Sequence, residues 1–123
     1  MAKADPKASV PPEVAEQLAR LARQYLVHCF LYYRLDEPVA GDAEFDKIAK
    51  GLRKLRLGWP KAPMPHAAVI DPVLGPEVSG FQIRKYPPQV ISDAFKLLYA
   101  INRPSVEFTE FVERRGYKAE LGG

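Results

Sequence analysis

The sequence predicts a mainly all-α domain, an antiparallel helical hairpin followed by a third helix and joined to it by a long proline-rich connection. Three observations lead there. Apolar residues recur at steps of three or four in three separate segments, the pattern of a one-sided amphipathic helix. Prolines, single or clustered, bound each of those segments. The chain of 123 residues is 47% hydrophobic and 27% charged, the balance of a globular protein with one core.

Met1 to Pro11 is polar and alanine-rich, and reads as a flexible arm ahead of a single domain over 12–123. From Pro12, Val14, Leu18, Leu21, Tyr25, Cys29 and Tyr32 draw one apolar stripe, with Glu13 and Glu16 near the start and Arg20 and Arg23 further along, as the helix dipole prefers. This first helix should stop near Leu35, because Asp36-Glu37-Pro38 disfavours another turn. After a short loop, Asp42 is placed to cap a second helix carrying Phe45, Ile48, Leu52 and Leu55 and ending near Arg56. Two helices so joined over 12–56 should pack antiparallel.

Residues 57–88 differ. Prolines at 60, 63, 65, 72, 76, 87 and 88 rule out a long regular element, so this loop is expected to be pinned by Trp59, Val69, Ile70, Val73 and Phe81 or to be functional. The C-terminal helices occupy 89–123. In the first of them Ile91, Ala94, Phe95, Leu98 and Ile101 share a face up to Asn102-Arg103-Pro104, and Ser105 is positioned to cap a short element holding Phe108, Phe111 and Val112.

Composition narrows the function. A net charge of +3 permits an acidic partner without demanding one. One cysteine excludes an internal disulfide and suits a reducing cytoplasm, and with two histidines it cannot complete a four-ligand zinc site. No apolar run reaches the roughly 20 residues of a membrane span, and Met1–Val10 has no hydrophobic signal region. His28 and Cys29 are adjacent on a helix and diverge, so they do not form a ready nucleophile–base pair. His66 has no evident partner, and Gly75 and Gly80 lack the lysine and strand context of a phosphate loop.

The densest motif is Leu31–Ile48, LYYRLDEPVAGDAEFDKI. It resembles the N-terminal Ia region of bacterial NAD-dependent DNA ligases, where a helix ends in an aromatic pair, an Asp-x-Pro loop follows, and Asp-Ala-Glu-Tyr-Asp opens the next helix. The resemblance covers about the first half of the chain, to Leu55. It implies a helical hairpin that grips the nicotinamide mononucleotide (NMN) half of NAD. Tyr32 and Tyr33 then stand at the aromatic pair beside the nicotinamide, Asp42 and Asp46 at the two carboxylates, and Phe45 at the family's tyrosine. That last position is a departure, which removes one phenol hydrogen bond worth about 0.5–1.5 kcal/mol.

The residues also make independent sense of such a site. The cationic nicotinamide ring of NAD is attracted to aromatic faces. Asp42 and Asp46, four apart, share a helix face where they can offset the ring charge. Arg34, Lys47 and Lys50 are phosphate candidates by proximity. Each residue has a plain alternative: Tyr32 and Phe45 as core, Asp42 as a cap, Asp46 as a partner of the helix dipole.

No Lys-x-Asp-Gly nucleotidyltransferase motif occurs in these 123 residues, so the expectation is a non-catalytic nicotinamide-nucleotide-binding protein. The second half is read as unlike the ligase. SGFQIRKYPPQVISDAFKLL is similar to small ligase-related phage proteins, which implies a phage-encoded protein in the host cytoplasm. The alternative function uses Lys47, Lys50, Arg53, Lys54, Arg56, Trp59 and Lys61 as a basic, aromatic surface for DNA, or uses the hairpin to engage a host protein.

Overall fold

The computed structural model describes residues 10–75 and 78–118, and these are mostly helical with no strand among them. Helix α1 spans Pro12–Cys29 and runs on without a break into a π-helical turn, Phe30–Arg34. Proline at the first helical position suits α1, since its missing N–H would be unpaired there in any case. Helix α2 spans Asp42–Gly58, α3 Ala67–Ile70, α4 Pro88–Asn102 and α5 Phe108–Glu113, with single 3₁₀ turns at Asp71–Val73 and Gly80–Gln82. Of the arm expected over 1–11, residues 1–9 lie outside the described residues, as does the end of the chain from 119.

The predicted hairpin is present. Tyr32, at the end of the first helix, stacks on Phe45 at the start of α2, while Gln17 near the start of α1 shares a groove with Gly58 and Trp59 at the end of α2. The two helices are therefore antiparallel. Leu18, Ala22, Tyr25, Leu26, Cys29, Phe30 and Leu31 bury one side of the first helix, and Leu52 is the fully enclosed residue of α2. Helix α4 closes the core with Val90, Ala94, Phe95 and Leu98, and Phe111 and Val112 of α5 complete it.

Several expectations need correction. Gly41, not Asp42, is the N-cap of α2; Asp42 is the first helical residue and its carboxylate does not cap. Glu107 rather than Ser105 precedes α5, and no side chain caps it. Ile101 is 53% exposed, because α4 ends one residue later, beyond the reach of the core, with Arg103 in a left-handed conformation (φ 46°). The connection over 57–88 is not structureless: α3 and the two 3₁₀ turns give it local hydrogen bonds, and Ile70 and Val73 pin it as expected. Phe81 does not pin it, being 67% exposed; Ala62, Met64, Ile83 and Tyr86 are the other buried anchors.

Two ion pairs hold this connection and the chain end in place. Arg56 of α2 meets Asp71 through paired bonds of 3.0 Å, Nε to Oδ1 and Nη2 to Oδ2, and its Nη1 donates to the carbonyls of Ala62 (2.6 Å) and Trp59 (3.3 Å). Arg115 grips Glu37 in the same two-pronged way, at 2.7 and 3.0 Å, and lies over the Phe111 ring. Among the described residues no helix is long and apolar enough to cross a membrane.

Candidate functional site

A cleft of about 400 Å³ opens between the hairpin and the proline-rich connection. Its volume is in the ordinary range for small-molecule sites. One wall is α2, which contributes Asp42, Phe45, Asp46, Ala49 and Arg53. The end of the first helix adds Tyr25, Tyr32 and Tyr33, and the connection supplies Val73, Leu74, Gly75, Val78, Ser79 and Gly80. All five residues singled out from the sequence for a nicotinamide site, Tyr32, Tyr33, Asp42, Phe45 and Asp46, therefore line one cavity.

The π turn explains how two consecutive tyrosines reach it. In an α-helix of 3.6 residues per turn, neighbours diverge by about 100°. Here Leu35 N–H bonds to the Phe30 carbonyl, five residues back, and the widened turn carries an extra residue. Tyr32 and Tyr33 end with ring centroids 4.9 Å apart at 69°. Phe45 stacks on Tyr32 at 5.4 Å and 30°, and meets Tyr33 at 6.1 Å and 63°. The phenylalanine that replaces the expected tyrosine is thus the centre of an aromatic floor, half-buried rather than enclosed.

Charge is distributed unevenly along the cleft. Asp42, Asp46, Ala49 and Arg53 follow at steps of four, three and four, one face of α2. The carboxylates stand toward the N-terminal end of that face, and the Arg53 backbone lies about 10 Å further along the axis than that of Asp46, at 1.5 Å rise per residue. Asp46 pairs with Lys50 at 3.0 Å, but both side chains are more than half exposed, so the pair is weak and readily exchanged. Among the described residues Arg53 makes no ion pair.

Beneath the floor lies a layer of suppressed acids. Burial pushes the Cys29 thiol up to about 12, opposed by a hydrogen bond with Tyr25. Burial likewise raises the phenols of Tyr25, Tyr33 and Tyr86, with the neighbouring Cys29 adding to each. Raised in this way, the thiol and the phenols stay protonated at neutral pH. His28 is lowered, mainly by burial and against the pull of Glu44. Among the described residues no group of acids, histidines and cysteine is arranged to hold a metal.

The basic, aromatic set does not form one surface. Lys47, Lys50, Lys54 and Lys61 are exposed, but Arg53 faces the cleft, Arg56 is committed to Asp71 and two carbonyls, and Trp59 packs half-buried against the core. Arg34, a phosphate candidate from the sequence, donates to the Ile83 carbonyl and so ties the π turn to the connection. Arg53, expected in the nucleic-acid set, lines the cleft instead, and its helical spacing from Asp42 and Asp46 carries that signal. Tyr25 and the loop wall carry no such signal, because only folding brings residues 73–75 and 78–80 against the hairpin.

Comparison with known proteins agrees on the hairpin. Residues 11–66 match the family described as DNA ligase-like, N-terminal NAD+-binding domain. The DNA ligase of Cellvibrio japonicus is 29% identical over 113 residues, 89% of this chain and 16% of the ligase. That of Methylococcus capsulatus is 33% identical over 89 residues (71% and 13%), and that of Thermotoga petrophila 31% over 83 residues (68% and 12%). The chain thus spans about one-eighth to one-sixth of the length of these relatives. The Cellvibrio match also corrects an expectation: covering 89% of the chain, it reaches well past the hairpin into the half read as unlike the ligase. No solved structure matches the chain significantly.

Proposed function

We propose, from the match of residues 11–66 to the family described as DNA ligase-like, N-terminal NAD+-binding domain, that the cleft of this chain binds the NMN half of NAD, as a recognition element without chemistry of its own. One observation carries the reading: the cleft is an aromatic floor with carboxylates at one end and, at the other, the Arg53 guanidinium, which makes no ion pair among the described residues. A ligand complementary to it has a flat cationic ring, a short polar spacer and an anionic tail, which describes NMN. The ring rests on Tyr32, Phe45 and Tyr33 and is drawn by cation–π attraction. Asp42 and Asp46 offset its charge or accept the carboxamide protons, and Arg53 takes the phosphate.

The absence of catalysis is part of this proposal and concerns these 123 residues. It rests on the lack of a Lys-x-Asp-Gly motif in them and on the thiol and phenols beneath the cleft being held protonated by burial. A cytoplasmic setting and a phage-encoded origin belong to the proposal too and rest on the sequence resemblance alone. The alternative, a basic surface for DNA or a scaffold for a host protein, has the exposed Lys47, Lys50, Lys54 and Lys61 in its favour. It is the weaker reading, since Arg53 faces the cleft and Arg56 is committed to Asp71, which divides the basic set.

Calorimetric titration with NMN tests it. Saturable binding is expected, lost in Asp46→Ala and unchanged in Lys54→Glu. Because the Asp46–Lys50 pair is exposed, Asp46→Ala should shift stability by no more than about 1 kcal/mol, so loss of binding will not reflect unfolding. Silence at millimolar NMN, or binding that survives Asp46→Ala, refutes the reading. Binding of DNA that falls steeply with salt and is lost in Lys54→Glu establishes the alternative.

A further inference from the structure

The 3₁₀ turn Gly80–Gln82 stands between two cavities. Ser79 and Gly80 line the cleft already described, whereas Phe81 and Gln82 line another of about 450 Å³, which Arg34 and Arg84 complete. The two share no lining residue, and their charge is opposite in kind. The first holds two carboxylates and one guanidinium. The second holds two guanidinium groups and no acid.

This second cavity is rich in donors and poor in acceptors. Arg34 gives an N–H to the Ile83 carbonyl, which anchors the side chain and leaves most of its fork of donors idle. Among the described residues neither Arg34 nor Arg84 makes an ion pair. Beside Arg34 the Tyr86 hydroxyl is buried without a hydrogen-bond partner; burial raises this phenol and the Arg34 charge draws it back. Phe81, 67% exposed, adds a ring that meets Tyr33 at 5.7 Å and 70°.

The cluster wants a strongly charged acceptor. A single guanidinium fork satisfies the two oxygens of a carboxylate, whereas two forks can share the three terminal oxygens of a phosphate monoester, nearly a dianion at neutral pH. The exposed Phe81 ring offers a flat body a face to stack on. Two arginines repel a cationic ring, which sets the ligand apart from NMN.

We infer that this cavity is a second binding site, which takes a phosphate monoester carrying a neutral flat ring: the phosphate between Arg34 and Arg84, the ring on Phe81. The site does not depend on what the first cleft binds.

Calorimetry with phenyl phosphate, inorganic phosphate and benzoate, on the protein and on Arg84→Gln, Phe81→Leu and Arg53→Met, tests it. Phenyl phosphate should bind saturably, roughly two- to tenfold more tightly than inorganic phosphate. Benzoate should be weaker than phenyl phosphate by at least about tenfold, and Arg84→Gln should weaken phenyl phosphate by as much. Phe81→Leu should remove the advantage of phenyl phosphate over inorganic phosphate. Arg84 and Phe81 are both exposed, so these variants keep the fold. Arg53→Met should change nothing. Silence at millimolar phenyl phosphate overturns the proposal, as does binding that survives Arg84→Gln, an advantage that survives Phe81→Leu, or benzoate as tight as phenyl phosphate. Binding lost in Arg53→Met instead would place the anion in the first cleft and overturn it too. Where the site is upheld, a phosphotyrosine peptide fixes the source of the ring: tighter binding than phenyl phosphate assigns it to a protein side chain, and binding no tighter assigns it to a free ester.

Discussion

Gly80 lies directly against Cys29, so close that a Cβ on residue 80 would overlap the Cys29 sulfur and crowd the Tyr25 hydroxyl and the Tyr33 ring. This contact seats the 3₁₀ turn Gly80–Gln82 on the end of the first helix, with Ser79 Oγ accepting from Phe81 N–H to start the turn. It places the wall of the cleft opposite α2. Gly80→Ala should therefore destabilise the fold by about 1–3 kcal/mol, as overpacked core positions do. The displaced wall should also weaken NMN binding more than the loss of stability accounts for. Urea unfolding and calorimetry on the folded variant separate the two, and an unchanged midpoint would show that the loop shifts freely.

That relationship marks the boundary of what the sequence discloses. The hairpin and the third helix were legible because apolar spacing at three and four is a local signal, and Tyr32, Tyr33, Asp42, Phe45 and Asp46 fall within one short stretch. The π turn was not legible, since one residue of extra pitch leaves the apolar stripe almost unaltered. Nor was the role of Gly80, whose requirement comes from a sulfur 51 positions earlier in the chain. Arg53 and Arg56 looked like members of one basic run, and only the position of Asp71 on a distant turn separates them. Asp42 looked like a helix cap because its residue type favours that place, whereas Gly41 occupies it.

Restoring the phenol at position 45 should strengthen nicotinamide binding. Phe45 lines the cleft and is half-buried, so an added hydroxyl can reach the cavity without entering the core. One recovered hydrogen bond, about 0.5–1.5 kcal/mol, corresponds to a gain of roughly two- to tenfold in affinity. Calorimetry on Phe45→Tyr measures it. Weaker binding would mean that the aromatic floor is packed too tightly for the hydroxyl.

Arg56 should matter for stability and not for binding NMN. Its side chain is 12% exposed, and removing it strands the Asp71 carboxylate together with the Ala62 and Trp59 carbonyls. Arg56→Met keeps the aliphatic bulk but not the donors, and should cost about 1–3 kcal/mol. Arg53→Met, by contrast, should leave thermal stability nearly unchanged and reduce NMN affinity, because that guanidinium makes no ion pair among the described residues. Reversed outcomes would exchange the structural and ligand-facing roles of the two arginines.

Stability should hold steady at neutral pH and fall on both sides. The Cys29 thiol, raised by burial from an ordinary 9.0 to about 12, favours the folded state fully below pH 9.0. That contribution is lost as pH rises from there toward 12, because the unfolded thiol ionises first and draws the equilibrium to the unfolded chain. The raised phenols of Tyr25, Tyr33 and Tyr86 act in the same sense from their ordinary value of 10.0 upward. On the acid side, His28 is lowered from 6.5, so its contribution is present above that pH and is lost as pH falls through its folded value. Urea midpoints measured from pH 5 to 11 should trace this plateau. In Cys29→Ala the alkaline decline should begin nearer 10.0, where only the tyrosines remain to titrate. A decline that still begins at 9.0 in that variant would assign the alkaline limb to another group.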